Sequence, residues 1–237
     1  RQAYIINDTS ESTSGWGYTP TQWSGGAAHH RLIVRTPNDI VVMADDGTIY
    51  SVVAAENYGD YRVASLTRPS HMDVWIRENI NLQQIDKFHA VFDPVLRCIY
   101  FFMVRSGGAN LHVALVYFID RPPEQAWSIH DNQSYDSGYK ASCSAVVETD
   151  TGAYRVYTGC GSGHVWKLNE VTRSDAGNGY YAGFKTPNLS IENPRATKMF
   201  HMGRVVYRPS GAYTMAVNLW VDGQSMPSTT VSVSGMG

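Results

Sequence analysis

Hydrophobic and polar residues alternate along much of the chain, in short runs separated by turn residues. The first clear runs are Arg31–Arg35, Asp39–Met43 and Thr48–Val52, with Asp45, Asp46 and Gly47 between the last two. A period of two is typical of β-strands, and an Asp-Gly pair between two such runs indicates a hairpin. The sequence therefore predicts an antiparallel meander over residues 31–53.

The most regular pattern lies between residues 89 and 131. Four apolar runs are joined there by three short connections: His89–Phe92, Cys98–Val104, Leu111–Ile119 and Ala126–Ile129. Four consecutive antiparallel strands are the content of one blade of a β-propeller.

Two further units repeat this pattern. Residues 142–184 contain the runs Ser142–Val147, Tyr154–Tyr157, His164–Leu168 and Tyr180–Phe184. An incomplete unit over residues 198–223 contains Arg204–Tyr207 and Tyr213–Val221, and it closes at a turn at Asp222 and Gly223. Sandwich and propeller are both open architectures for such meanders, and the repetition favours the propeller.

Between Arg68 and Phe88 the apolar spacing becomes helical, with Met72, Trp75, Ile76 and Ile80 on one face. Ser70 and Asp73 resemble a capping box at its start. We expect one amphipathic helix near residues 70–87 that covers a sheet edge or packs across a sheet.

The predicted fold is all-β, with antiparallel strand meanders forming part of a β-propeller and one inserted helix. Residues 1–26 are rich in Ser, Thr and Gly and are predicted to be a loop-rich edge segment. Residues 27–237 are predicted to be the partial propeller, with blades near 31–53, 89–131, 142–184 and 198–223. Since the sequence lacks an initiator Met and starts in a strand-like run, we expect a segment of a longer chain.

The amino-acid composition limits the classes of function that the chain can have. Hydrophobic residues make up 43% and charged residues 17%, a balance typical of a folded globular protein. A formal charge of −2 provides no basic field that would attract nucleic acid or anionic membranes. No apolar run approaches the ~20 residues that cross a bilayer, and no signal peptide is recognisable at the start. We expect a soluble protein made in a reducing cytoplasm, with no membrane span.

The cysteines and the paired histidines do not match a metal-binding motif. Cys98, Cys143 and Cys160 match neither a zinc motif nor a disulfide framework, so we expect buried thiols. His29 and His30 are adjacent, and adjacent side chains of a strand point to opposite faces. We expect surface or edge histidines there and no metal site.

Carboxylates that could support hydrolysis all fall at turns or strand ends: Asp93, Asp131, Asp136, Glu148 and Asp150. Acidic residues commonly form turns at such positions. The sequence has no nucleophile elbow and no phosphate-binding glycine loop. It therefore predicts no catalytic, cofactor-binding or metal-binding residues, no cofactor, and no enzyme activity.

Other patterns are weaker. The segment from Ser134 to Gly138 resembles the start of the Asp-box of sialidase-like propellers, but Ala141 stands where that motif has an aromatic residue. Gly161 to His164, ahead of Trp166, resembles a WD repeat without its Asp, and its glycines fit a hairpin with positive φ. The aromatic residues Trp16, Trp23, Tyr180 and Tyr181 could stack sugars or bases, although packing is the commoner role.

The order of these signals resembles one family. The strings ADDGTIYSV, HMDVWIRENIN, YTGCGSGHVWKLN and AYTMAVNLWVDG occur in sequence. With the Asp93–Pro94 turn, Trp127–Ser128 and Lys185–Pro187, they resemble the β-propeller tail nozzle, tail-accessory and tail-hub proteins of tailed bacteriophages. The resemblance covers roughly the last four-fifths of the chain and rests on order and spacing.

The resemblance implies a non-enzymatic virion protein of the phage tail, assembled in the host cytoplasm. Copies of the chain would form a ring around a channel through which the genome passes without sequence recognition, beside neighbouring tail or adaptor proteins. The alternative function is a carbohydrate-binding or glycan-processing propeller, favoured by the abundant Tyr and Trp and the partial Asp-box. A WD-like scaffold would need Trp-Asp endings at a fixed period, which the sequence lacks.

Overall fold

The computed structural model describes residues 4–7, 17–20, 25–55, 60–131, 141–161, 163–168, 182–183, 204–206, 214–220 and 229–234. The chain divides into two compact units, residues 1–179 and 180–237. The described strands pair antiparallel in five sheets, which confirms the all-β class.

The first unit begins with a hairpin of β1 (Tyr4–Asn7) and β2 (Gly17–Pro20). Tyr4 and Tyr18 pack edge to face across it, with their ring centroids 5.7 Å apart. The segment predicted to be loop-rich therefore contains two short strands. Trp16 and Trp23 lie outside the described residues.

The first four-stranded sheet consists of β3 (Ile33–Arg35), β4 (Ile40–Met43), β5 (Ile49–Ala55) and β6 (Asp60–Ser65), paired in chain order. The predicted hairpin between β4 and β5 is confirmed, and Gly47 occupies its turn with φ +82°. The prediction placed three strands here and missed β6. Its first strand was too long, because residues His30–Leu32 form a 3₁₀ turn.

A helix follows, as predicted, but it is shorter: α1 spans Met72–Asn79 and a 3₁₀ segment spans Leu82–Lys87. The predicted capping box is wrong. His71 precedes the helix with φ 56° and caps it with no side-chain hydrogen bond. The Ser70 hydroxyl donates instead to the carbonyl of Thr67, 3.1 Å away, because the chain enters the helix through a tight turn.

The helical insertion is held against the two four-stranded sheets. Ile76 is fully buried in the core and lies against the turn at Gly47. The backbone amide of Asn81 donates to the carbonyl of Val104, and that of Ser106 donates to Asn79. The expected packing role is confirmed, since these contacts tie the insertion to the end of the second sheet.

The second four-stranded sheet matches the predicted unit over residues 89–131. Its strands are β7 (His89–Asp93), β8 (Cys98–Val104), β9 (Leu111–Phe118) and β10 (Trp127–Asp131), again paired in chain order. All seven residues of β8 are buried. A strand covered on both faces reads as a continuous apolar run, which is why this sheet is so clear in the sequence.

The third sheet has three described strands, β11 (Ala141–Glu148), β12 (Tyr154–Cys160) and β13 (Val165–Lys167). A fourth strand was predicted at Tyr180–Phe184. Ala182 and Gly183 are not in a strand, and the rest of that run lies outside the described residues.

In the second unit, β14 (Thr214–Leu219) pairs with β15 (Thr229–Ser234). The predicted strand at Arg204–Tyr207 is wrong where it can be seen, since residues 204–206 have no strand structure. Tyr207 and the predicted turn at Asp222 and Gly223 lie outside the described residues.

The sheets of the first unit share one hydrophobic core, in which Leu32, Ile49, Phe88, Phe101 and Leu115 are fully buried. Each four-stranded sheet has its first strand at one edge and its fourth at the other. β7, the first strand of the second sheet, contacts both β3 and β11. The first strands of three consecutive sheets are therefore neighbours.

Candidate functional site

An open cavity of about 190 Å³ lies where β7 contacts its neighbours β3 and β11. Its lining residues are Arg31, Ile33, His89, Ala90, Cys143 and Ser144. Each of the three first strands contributes at least one of them, and Arg31 comes from the turn that leads into β3. Among the described residues that line it, there is one guanidinium group and no carboxylate.

A β-bulge shapes the β11 side of this cavity. The pairing of β11 with β12 shifts register between Ala141 and Cys143. Bulges re-aim the side chains beside them and are often found next to sites. Gly159 faces Cys143 across the pair, and a Cβ atom at Gly159 would lie only 2.8 Å from the Cys143 Sγ. The glycine therefore leaves the space that the Cys143 side chain occupies.

His89 is the most unusual residue of the lining. It is only 3% exposed, and its ring stacks on Phe102 with centroids 4.8 Å apart. Neither ring nitrogen has a hydrogen-bond partner of normal geometry. A buried polar group without a partner typically costs about 1–3 kcal/mol, and such groups are rare in folded proteins.

The pKa of His89 is lowered to about 4, mainly by burial and also by the positive charge of Arg31, while a hydrogen bond to the backbone of Lys87 opposes the shift. The imidazole is therefore uncharged at neutral pH. A neutral imidazole has one N–H donor and one acceptor nitrogen.

Arg31 and Ser144 complete the polar lining. Nη2 of Arg31 donates to the backbone carbonyl of Asp86 at 2.7 Å, which fixes the guanidinium beside the segment that precedes β7. The Ser144 hydroxyl is buried and has no hydrogen-bond partner in the part of the chain that the structure describes. The cavity thus brings together a cation and two polar side chains whose hydrogen-bonding capacity is unused.

A second cavity, of about 200 Å³, lies between the two four-stranded sheets, and Asp39, Ser51, Arg97, Tyr117 and Asp120 are among its lining residues. Asp39 accepts hydrogen bonds from the Ser51 hydroxyl and from the Ile40 amide. Arg97 donates to both oxygens of Asp120, at 2.5 and 2.9 Å. Both carboxylates are therefore engaged within the protein.

The charges of this second cavity affect each other. The hydrogen bond from Arg97 lowers the pKa of Asp120. Burial, and then the charge of Asp39, raise the pKa of Tyr117. A glycosidase-type pair requires one carboxyl with a raised pKa that can donate a proton. Asp120, whose pKa is lowered, does not provide that acid.

The structure corrects the reasoning about His29 and His30. They do not lie in a strand with their side chains on opposite faces; their rings are 4.1 Å apart. His29 caps the 3₁₀ turn, and its Nδ1 accepts a hydrogen bond from the Arg31 amide at 3.3 Å. Within the described residues, no three His, Cys, Asp or Glu side chains form a group that could hold a metal ion.

The prediction of three buried thiols holds only in part. Cys98 is fully buried, and burial raises its pKa to about 11. Cys143 is exposed, and Cys160 is half-buried with its thiol donating to the His164 carbonyl at 3.2 Å. Cys143 departs from the prediction because most residues of β11 are exposed, on both faces of the strand.

The carboxylates singled out in the sequence do not come together in either cavity. Asp93 acts as a turn former, since its Oδ1 accepts from the amides of Val95 and Leu96. Asp131 pairs with Arg105. Glu148 and Asp150 lie at the end of β11 and in the turn that follows, and Asp136 lies outside the described residues.

The structure describes only some of the residues of the weaker sequence motifs. Gly163 has φ +83° in the hairpin between β12 and β13, which confirms the structural interpretation of that glycine-rich turn. The Asp-box-like segment, Tyr180 and Tyr181 lie outside the described residues. Ala141, the position that departs from that motif, is the buried first residue of β11.

Sequence reasoning missed both cavities. One sequence signal was available for the first cavity. His89 occupies the same face of β7 as Val91 and Asp93, and all three residues are buried. A histidine at a core position of a strand requires a partner, which makes it a candidate. Arg31 and Ser144 gave no such signal, because only the packing of separate sheets brings them near His89.

The remaining findings concern membrane-spanning helices and similarity to known proteins. No helix among the described residues has the length and apolar character needed to span a membrane. Searches with the sequence against protein-family models and against curated proteins find no match.

Proposed function

We propose that this chain is a non-enzymatic structural protein of a bacteriophage virion, a tail nozzle, adaptor or hub subunit that forms part of the genome channel. The observation that carries the proposal is the meeting of β3, β7 and β11 at one edge of three consecutive antiparallel sheets. In a β-propeller the first strands of successive blades surround the axis in this way, and the ordered sequence resemblance supplies the link to tails.

Rigid packing between the sheets suits such a role. The core of the first unit runs through both four-stranded sheets and reaches β11 and β12 at Ala141 and Val156. A formal charge of −2 suits a channel through which DNA slides, because the chain has no net positive charge that would hold the phosphates.

The third sheet supplies a surface for neighbouring subunits or blades. Val147 and Val165 share the face that carries Cys143, and they are 44% and 70% exposed. Blades of a propeller pack face to face, so these exposed valines fit a contact with a further blade or another copy. In the proposed assembly these valines contact a neighbour in the ring.

Mass photometry and electron microscopy of the purified chain test this proposal. We expect ring-shaped oligomers, which Val165→Asp disrupts. The matched control is Val95→Asp, at a turn residue that is 54% exposed, and it should leave the rings intact. A strictly monomeric protein at high concentration would count against the proposal.

A second candidate function is glycan binding. The second cavity supports it, because Asn38, Asp39, Arg97 and Tyr117 provide an aromatic ring and polar groups at one place. Saturable binding on a glycan array, abolished by Asn38→Ala and kept in Asn110→Ala at an exposed turn, would favour this function over the structural one. An array without a bound glycan removes it.

A further inference from the structure

We propose that the cavity between β3, β7 and β11 binds a small tetrahedral oxyanion, a phosphate group, through Arg31, His89 and Ser144. This inference does not depend on the virion role, because it rests only on the residues that line the cavity.

The first step is the charge of the lining. Arg31 is the charged residue among the six that line the cavity, and no carboxylate faces it there. A guanidinium has five N–H donors in a planar fork, so the bond from Nη2 to Asp86 leaves others for a ligand. Arginine is the residue best suited to bind phosphate oxygens through two parallel hydrogen bonds.

The second step is the unused hydrogen-bonding capacity. His89 is 3% exposed, and among the described residues neither its ring nitrogens nor the buried Ser144 hydroxyl has a hydrogen-bond partner of normal geometry. Buried polar side chains in folded proteins almost always have partners, and those without one require an explanation. A bound oxyanion would accept from the hydroxyl and from the imidazole N–H at once.

The third step is size and shape. A cavity of about 190 Å³ is smaller than the typical pocket for a drug-sized molecule, which is about 300–1,000 Å³. It therefore fits an ion of a few atoms. The three polar groups come from three different segments of the chain, and a tetrahedral ion has an oxygen for each of them.

The test is a titration of the full chain with inorganic phosphate at constant ionic strength, followed by isothermal calorimetry and by NMR. We expect saturable binding in the millimolar range or tighter, with acetate binding more weakly. The His89 ring proton resonances, identified by their loss in His89→Gln, should shift with the same saturation curve. Absence of saturation, or equal affinity for acetate, overturns the proposal.

Variants locate the site. Arg31→Gln should weaken phosphate binding about tenfold or more, since it removes the cation. Ser144→Ala should weaken it about threefold, through the loss of one neutral donor. Arg35→Gln is the matched control, because Arg35 is an exposed cation on β3 that does not line the cavity. If Arg31→Gln folds with an unchanged circular dichroism spectrum and binds like Arg35→Gln, the assignment is wrong.

A second titration distinguishes the two possible sources of the phosphate group, inorganic phosphate and a nucleoside monophosphate. Inorganic phosphate and a nucleoside monophosphate carry the same group, but the small cavity leaves little room for a base and sugar. We expect inorganic phosphate to bind with at least the affinity of the nucleotide. Clearly tighter binding of the nucleotide would mean that the surface outside the cavity dominates, which contradicts the site as proposed.

Discussion

Trp127 and Leu66 join the two four-stranded sheets: the indole Nε1 of Trp127 donates to the backbone carbonyl of Leu66 at 3.3 Å. Trp127 begins β10, and Leu66 follows the last residue of β6, so the bond links the fourth strands. The Trp127 ring also packs on Tyr117, with centroids 4.8 Å apart. The contact of β3 with β7 closes the opposite edge, and the two sheets are thus held together at both edges.

Two substitutions of Trp127 separate the contribution of its hydrogen bond to stability from the contribution of its ring packing. Trp127→Phe keeps an aromatic ring beside Tyr117 but removes the hydrogen bond, and it should lower the free energy of unfolding by about 1–2 kcal/mol. Trp127→Ala also removes the packing and should cost about 3 kcal/mol or more. Urea denaturation followed by circular dichroism measures both values.

Ser128→Ala is the control for this pair, because Ser128 is the next residue of the same strand and faces the other side of the sheet. A surface-type substitution of this kind should change stability by no more than about 0.5 kcal/mol. If Trp127→Phe is as mild as Ser128→Ala, the bond to Leu66 does not fasten the sheets.

Gly47 offers a test of how the helix packs on the first sheet. Its φ is +82°, and an added Cβ would lie 2.7 Å from Cγ2 of the buried Ile76. Gly47→Ala should therefore suffer both backbone strain of about 1 kcal/mol and a steric clash that costs about 1–3 kcal/mol more. Thermal and urea unfolding give the total.

Gly107→Ala is matched to it in conformation. Gly107 has φ +78°, but a Cβ there meets no atom within 4 Å. Its substitution should show the backbone cost alone. Equal destabilisation by the two variants would mean that α1 moves away from the turn without penalty, contrary to the close packing of Ile76.

The accuracy of the fold prediction depended on how completely each strand is buried. β8 was predicted with its correct limits because both of its faces are covered and its sequence is apolar throughout. β6, which begins with Asp60 and Tyr61, has no such run, and its pairing with β5 decides its structure. The helix start was misplaced because a left-handed turn at His71 precedes the helix, in which the His71 amide donates to the Arg68 carbonyl and the Met72 amide donates to the Thr67 carbonyl.

The candidate site could not be predicted from patterns within single strands or helices. His89, Arg31 and Ser144 lie on different segments, and only the meeting of β3, β7 and β11 unites them. His29 and His30 illustrate the opposite error, since a strand was assumed where a 3₁₀ turn places their rings side by side. Sequence spacing gives distances along one element, whereas this site depends on contacts between elements.

The three thiols should differ in reactivity. Cys143 is exposed, Cys160 is half-buried, and Cys98 is fully buried with its pKa raised to about 11. Because the thiolate is the reactive form, iodoacetamide at pH 8 should label Cys143 first and Cys98 only after unfolding. Peptide mass mapping over time measures the three rates.

Cys143→Ser should remove the fastest phase and leave the slower ones unchanged. Labelling of Cys98 in the native protein at the rate of Cys143 would contradict the buried position of β8. Addition of urea above the unfolding transition provides the positive control, since all three thiols should then react at similar rates.

His89 should make stability depend on pH. Its pKa is about 4 in the folded chain and 6.5 for the free side chain, so the unfolded state binds more protons between these values. The contribution of the neutral imidazole is fully present above pH 6.5 and is lost as pH falls towards 4. From the size of the shift, the loss is roughly 3 kcal/mol.

The carboxylates also titrate in this window, so the measured quantity is the difference between the wild type and His89→Gln. Urea unfolding at pH 7, 5.5 and 4.5 should show a steeper loss of stability in the wild type, because Gln cannot take up the proton. Arg31→Gln removes a charge that lowers the His89 pKa and should give an intermediate slope. Parallel pH profiles for wild type and His89→Gln would show that water reaches the imidazole in the folded state, and that the cavity is more open than its burial indicates.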